Sequence, residues 1–369
     1  MCQGDVAQRC ILCGAESPLI MDYLGVCAQC VRTRFAEVQP LVQAAHARMR
    51  HAFGLPAAPP QSAGGVTCTL CAQGCAIGAG ERGYCGLRVH QAPPGGGRGR
   101  LHHLAGTPAR GVLHWYRDPL PTNCVAAWVC AGSRQAASTS LHHNLAVFYA
   151  SCTLNCLYCQ NWHFREVDPE ASQGMSAQEL ADCANARTFC ACYFGGDPAS
   201  QMPHALASAR RLAARGVRIC WETAGTQHPR LMDQAVRLSL ETGGTVKFDL
   251  KAFDEGLHIA LTGASNRRTL ENFRLAARYV ERPGSPLVVA STLLVPGYVT
   301  SDEVGRIARL IAGIDPGIPY ALLGFAPNFY VPDLPCTSVR HAEEAEAAAR
   351  AAGLTNVHVG NRHLLSRDY

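Results

Sequence analysis

The residues best suited to chemistry are cysteines: the chain has 369 residues and 19 are cysteine, eleven of them in three spaced groups. In SCTLNCLYCQN, Cys152, Cys156 and Cys159 form a CxxxCxxC run with no fourth cysteine nearby. Three thiolates on a 4Fe–4S cluster leave one iron without a protein ligand. Catalytic metal centres need such an open position, whereas structural sites are closed. Spacing leaves one alternative, a closed site completed by a distant cysteine such as Cys124, Cys130 or Cys190. RCILCGAESPLIMDYLGVCAQC carries Cys10, Cys13, Cys27 and Cys30 as two CxxC pairs. Two such knuckles complete a tetrahedral four-thiolate site, so a zinc ribbon is expected, with a rubredoxin-like iron site or a redox pair as alternatives. A short segment with so few core formers depends on the metal for its fold. CTLCAQGCAIGAGERGYCG carries Cys68, Cys71, Cys75 and Cys85, a spacing that suits zinc and an iron–sulfur cluster equally. Of the remaining cysteines (Cys2, Cys124, Cys130, Cys183, Cys190, Cys192, Cys220 and Cys336), three lie in apolar strand-like segments: Cys190, Cys192 and Cys220. Free cysteine is a common small core residue there.

The polar motifs that follow sit where strands should end. In YFGGDP, Gly195 and Gly196 expose backbone groups, Asp197 follows, and Pro198 fixes the exit. This suits a small polar group such as an ammonium, although a tight strand-to-helix turn reads the same way. WETAG offers Glu222. KFDLKA offers Asp249 and Lys251, two residues apart and so on one face of a strand. A charged pair there would be costly in a dry core and is useful at a barrel mouth. In TLLVPGY, Pro296–Gly297 breaks the strand.

The elements that must position these groups alternate. Strands are expected at 145–150, 190–194, 216–222, 245–252, 286–295, 319–326 and 356–361. Helices are expected at 199–215, 229–240, 267–281, 301–311 and 338–352. This rhythm implies right-handed crossovers and a parallel sheet, with the active site at the strands' C-terminal ends. The fold class is therefore α/β, a barrel or part of one. Upstream, Val31–Phe53 reads as one helix and residues 55–65 as a linker. Residues 66–90 are the second cysteine knot, 92–100 a spacer and 101–140 an irregular connection. Gly95–Gly97 lack the strand-to-helix context of a phosphate loop. The resulting domains are 1–53, 54–100, 101–140 and 141–369.

CxxxCxxC with Tyr158 before its last cysteine, then GGDP, WETAG and DLKA at successive strand ends, resembles the radical S-adenosylmethionine (SAM) superfamily. Residues 66–361 resemble most closely the branch of pyruvate formate-lyase activating enzymes and their AmmeMemoRadiSam-type relatives, with CxxCxxxC…GYCGLR before the loop and CQNWHF after it. The resemblance implies a partial (β/α)6 barrel in which Cys152, Cys156 and Cys159 hold a 4Fe–4S cluster and SAM chelates its open iron. It implies that Tyr158 lies near the adenine and that Gly195, Gly196 and Asp197, ending at Pro198, bind the methionyl ammonium. Asp197 stands where the family often has Glu. Glu222, Asp249 and Lys251 would contact the ribose or the carboxylate. Reductive cleavage of SAM would give a 5′-deoxyadenosyl radical that abstracts a hydrogen atom, with a reductant such as flavodoxin or ferredoxin. The chain departs from the activating enzymes in three ways: Ala326 stands about where they often carry a histidine, the amino-terminal ribbon is additional, and the ferredoxin-type insert of some activases is missing.

Composition narrows the rest. At 48% hydrophobic and 17% charged residues the chain can bury a large core. A net charge of +5 is too weak to argue for nucleic acid, and Arg32, Arg34, Arg48 and Arg50 read as a solvated helix face. No apolar stretch approaches a membrane span, and MCQGDVAQRC has no apolar run of a secretory signal. A cytoplasmic protein with reduced thiols is expected. The functions in competition are a radical SAM enzyme acting on a metabolite or a protein, a glycyl-radical-enzyme activase, and a non-catalytic electron-transfer or sensing protein. An auxiliary iron–sulfur cluster at Cys68–Cys85 would favour substrate oxidation.

Overall fold

A computed structural model describes residues 7–91, 99–120, 124–135, 141–279 and 284–369. Cys2, Gly95–Gly97 and the end of the helix expected at 267–281 lie outside the described residues. The central element is one eight-stranded sheet, here labelled β1 (Leu113–Pro119), β2 (His143–Tyr149), β3 (Thr188–Phe194), β4 (Arg218–Thr223), β5 (Val246–Asp249), β6 (Val288–Leu294), β7 (Tyr320–Gly324) and β8 (Val357–Gly360). Its strand order follows the chain order. β2 to β8 pair in parallel, and β1 joins β2 antiparallel. The parallel strands read as near-continuous apolar runs because both faces are covered; β2 and β6 are almost wholly buried.

Two helices precede the sheet, α1 (Ala28–Thr33) and α2 (Phe35–His51). The crossovers carry α3 (Ala177–Asp182), α4 (Met202–Ala213), α5 (Pro229–Thr242), α6 (Glu255–Thr262), α7 (Arg267–Ala277), α8 (Ser301–Ala312) and α9 (Val339–Ala351). Local chemistry explains their ends. Ser176 and Glu179 form a capping box on α3. α5 starts at Pro229 and stops at Gly243, whose φ of 76° is left-handed. The result is an α/β partial barrel, with six crossovers from β2 to β8. No helix among the described residues is long and apolar enough to cross a membrane.

Three expectations need correction. Val31–Phe53 is not one helix, because Arg34 (φ −134°, ψ 37°) breaks it between α1 and α2. The connection expected to be irregular contains β1, a seven-residue edge strand. β5 ends at Asp249, so Lys251 lies in the loop beyond it rather than on the strand. One cysteine also departs from the expectation of reduced thiols: Cys336 is disulfide-bonded.

Candidate active site and metal centres

The CxxxCxxC loop leaves β2 and enters a cavity of about 210 Å³ at the strand ends. Its walls bring together Cys152, Cys156, Cys159, Tyr158, Gly195, Gly196, Asp197, Glu222, Asp249 and Lys251, every one of which the sequence singles out. Pro198 stands just behind, at the first position of a short 3-10 helix capped by Asp197. The paired glycines are required by close approach. A Cβ on Gly196 would stand 2.1 Å from the Ser151 carbonyl oxygen, and one on Gly195 would stand 2.5 Å from Asn161 Nδ2. Gly196 thus lets the β3 end run directly against the cysteine loop, and Asp197 N donates to Ser151 O at 3.0 Å.

The buried carboxylate of Asp197 joins two strand ends. Its oxygens accept from Ala199 N at 2.7 Å, Ala224 N at 2.7 Å and Thr223 Oγ1 at 3.0 Å. Burial raises its pKa against these donors. Two ion pairs cross the floor. Lys251 Nζ donates to Asp249 Oδ2 at 2.6 Å, and Lys247 Nζ meets Glu222 Oε2 at 3.0 Å. The nearby lysines hold the Asp249 carboxyl below its ordinary range against the opposing effect of burial. Lys251 also sits 5.7 Å from the Tyr158 ring centre. Burial pushes the Cys156 thiol up to about 11.

Sequence reading missed Lys247 and Arg165. The signal for Lys247 was its place two residues before Asp249, which gives Lys247, Asp249 and Lys251 a spacing of two. Arg165 carried no such signal. It is buried, lines both this cavity and a neighbouring one of about 470 Å³, and its Nη1 has no partner among the described residues.

The larger cavity lies between the loop and the second knot; Cys152 and Cys85 both line it. The knot grips the loop on either side of Cys152. Ser151 Oγ donates to Cys85 O at 2.8 Å, and Gln73 Nε2 donates to Thr153 O at 2.6 Å. It also pairs with the turn after β4, with Ala72 N to Thr226 O and His228 N to Leu70 O both at 2.8 Å.

The amino-terminal cysteines converge. Cys10 and Cys30 sulfurs are 3.8 Å apart, as are those of Cys13 and Cys27, and all four lie within 4.8 Å of one another. A tetrahedral ion with zinc–sulfur bonds of about 2.3 Å sets its sulfurs about 3.8 Å apart. Among the described residues no other cysteine group is drawn together this closely. A 4Fe–4S cube distributes its thiolates over different irons and so keeps them farther apart. Cys152, Cys156 and Cys159 are not drawn together as the ribbon's four are. The ribbon is seated on the loop after β6. Tyr298 Oη accepts from Met21 N at 3.1 Å and donates to Val26 O at 2.7 Å. A Cβ on Gly297, whose φ is 74°, would meet Leu19 O at 2.2 Å.

Residues 146–311 match the family model described as the Radical SAM superfamily, and this stretch is a radical SAM domain. The chain is 34% identical over 132 residues to the isethionate sulfite-lyase activating enzyme of Desulfovibrio desulfuricans, covering 36% of this chain and 40% of that one. It is 29% identical over 155 residues to the pyruvate formate-lyase 1-activating enzyme of Escherichia coli K12, covering 37% and 60%. It therefore spans less than two thirds of either relative. A solved domain of a pyruvate-formate lyase-activating enzyme from Bacteroides vulgatus superposes with a TM-score of 0.37 at 19% identity, over 46% of this chain and 98% of that one.

Proposed function

We propose that this chain is a radical SAM enzyme that holds a 4Fe–4S cluster on Cys152, Cys156 and Cys159 and binds S-adenosylmethionine in the adjoining cavity. The observation that carries this reading is the meeting of three thiols, the paired glycines and two ion pairs on one cavity wall. When bound, cluster and SAM supply one-electron cleavage of the sulfur–C5′ bond, giving a 5′-deoxyadenosyl radical that takes a hydrogen atom from the substrate. Gly195 and Gly196 leave backbone groups open to the methionyl ammonium. Asp197 latches their turn to β4 through Thr223 and Ala224 and places its remaining acceptor capacity toward the same cavity. Glu222, Asp249 and Lys251 supply charge for the ribose and carboxylate, and Tyr158 a ring for the adenine. Apolar walls at Leu154, Leu293 and Leu323 keep water from the reacting atoms.

In this reading residues 1–53 and 54–100 are metal modules on a catalytic body at 141–369. The 3.8 Å sulfur spacing supports one tetrahedral ion in the ribbon, which we assign as zinc. We place an iron–sulfur centre in the knot on Cys68, Cys71, Cys75 and Cys85, fit to accept an electron from a substrate radical.

Anaerobic protein with dithionite and SAM is expected to release 5′-deoxyadenosine; no release from protein shown to carry the cluster would overturn the reading. Iron and zinc per chain test the metal assignments, the expected result being one zinc and two iron–sulfur centres. A second reading, activation of a glycyl-radical enzyme, is favoured by the activating-enzyme relatives. It requires a backbone radical in a co-incubated partner protein, detectable by electron paramagnetic resonance.

A further inference from the structure

The cavity of about 470 Å³ between the cysteine loop and the knot has no role in the reading above. Phe53, Leu55, Leu87, Leu154 and Phe164 give it apolar walls, and three arginines, Arg50, Arg82 and Arg165, give it positive charge. Its volume is that of a small-molecule pocket. Such pockets hold an apolar body and fix its orientation with a few polar groups.

Two of these arginines are buried without a counter-ion. Arg50 is 2% exposed and Arg165 is 8% exposed. Neither joins an ion pair among the described residues. Arg50 donates from Nε to Pro56 O at 2.5 Å and from Nη2 to Tyr84 O, and its guanidinium lies 3.4 Å from the Tyr84 ring centre. These neutral partners satisfy donors and leave the charge in place. Arg165 donates from Nη2 to Asn155 Oδ1 at a long 3.5 Å, and its buried Nη1 has no partner among the described residues. Buried charge is costly until it is paired.

One network brings the two together. Asn155, which accepts from Arg165, meets His46 Nδ1 at 3.0 Å through its own Nδ2. Arg50 follows His46 by one turn of α2 and so shares its face. Burial lowers the pKa of Arg50; Tyr84 opposes this, and Arg165 lowers it further. The acids of the cavity do not answer this charge. Glu166, Asp168 and Glu170 are exposed, and Glu170 is already paired with Arg82 at 2.5 Å. The cluster of the proposed reading answers part of it, since a doubly positive 4Fe–4S core on three thiolates carries one negative charge. One buried positive charge is left over.

We propose that this cavity binds a small organic acid, with its carboxylate, sulfonate or phosphate oxygens on Arg165 and Arg50 and its apolar body against Phe53, Leu154 and Phe164. Guanidinium groups present planar donor forks that match such oxyanions. Cys152, Leu154 and Arg165 also line the proposed SAM cavity, so the acid lies across a shared wall from it. That placement makes an organic acid the substrate class, an assignment that rests on the radical SAM reading; the anion site itself does not rest on it.

The test uses the full-length anaerobic chain with its iron in place. Thermal midpoints are measured with rising butyrate, butanesulfonate or inorganic phosphate, each at an ionic strength matched with chloride. At least one of the three is expected to raise the wild-type midpoint saturably, and which one does so identifies the oxyanion. Arg165→Gln should bind it about tenfold more weakly at equal iron, as loss of a charged donor implies. Arg165→Lys, which keeps the charge and loses the fork, should fall between. Arg340→Gln, on the exposed face of α9, should match wild type. No response to any of the three, or equal responses in wild type and Arg165→Gln, overturns the site. A second measurement needs no variant: equilibrium dialysis of wild type should retain one acid per chain, and none retained also overturns it. Release of 5′-deoxyadenosine is scored on the same samples. Acid binding without release leaves the site standing and overturns the radical SAM reading. Release that the bound acid does not change overturns the acid's role as substrate alone.

Discussion

The ribbon and the CxxxCxxC loop use the same ligand atom and solve opposite problems. In the ribbon four sulfurs face one another at 3.8 Å, and Cys27 also caps α1 by accepting from Cys30 N. That site closes on itself. The loop's three thiols are spread along a cavity wall beside glycines and charged groups, so they cannot fix their own geometry. Neighbours hold it instead. Asn155 N donates to Thr262 O at 2.8 Å, Leu157 N to Leu261 O at 3.0 Å, and the Asn155 side chain meets His46 Nδ1 of α2 at 3.0 Å. In the proposed reading the loop is an open centre, which needs outside support because one coordination position would be kept for a ligand that is not protein.

The largest expected effect separates the two. Cys156→Ala should abolish 5′-deoxyadenosine formation and leave ribbon zinc at the wild-type level, measured by product chromatography and metal analysis. Loss of zinc in that variant would mean that the two sites are not independent. Next comes Gly196→Ala, which forces a Cβ to 2.1 Å from Ser151 O. Overpacking of this kind costs about 1–3 kcal/mol. The loop should lose iron and most activity, again at unchanged zinc. Cys13→Ser should do the reverse. It should release the ribbon's zinc and lower the thermal midpoint, with activity falling only as far as α2 loosens its hold on Asn155.

The same contrast governs what the sequence made legible. Parallel strands announce themselves as apolar runs, and CxxxCxxC, GGDP, WETAG and KFDLKA mark their ends, so most of the cavity wall could be named. β1 escaped because it alternates between half-buried and exposed residues along an edge and ends in Pro119. Arg34 escaped as a helix break because it is itself a good helix former. The groups that hold the open centre escaped for a shared reason. His46 and Gln73 act across long sequence separations, and nothing in their local spacing ties them to the loop.

The smallest effect tests that outside support through pH. His46, His204 and His258 are buried, and burial pulls each from 6.5 to about 4. All three are held neutral in the folded state. The unfolded chain therefore takes up protons that the folded chain refuses, so their contribution is fully present above pH 6.5 and is lost as pH falls toward 4. Each adds about 1.4 kcal/mol per pH unit to the acid slope within that window. Neutral His46 accepts from Asn155 Nδ2 and donates to Ala260 O at 3.0 Å, and protonation removes the acceptor that faces the loop. His46→Gln removes one of the three titrations. Its urea midpoint between pH 6.5 and 4 should fall less steeply than wild type, while the midpoint above pH 6.5 stays close to it. Parallel profiles for the two proteins would show that His46 does not titrate in this window, and that the link from α2 to the cysteine loop is not the acid-sensitive one.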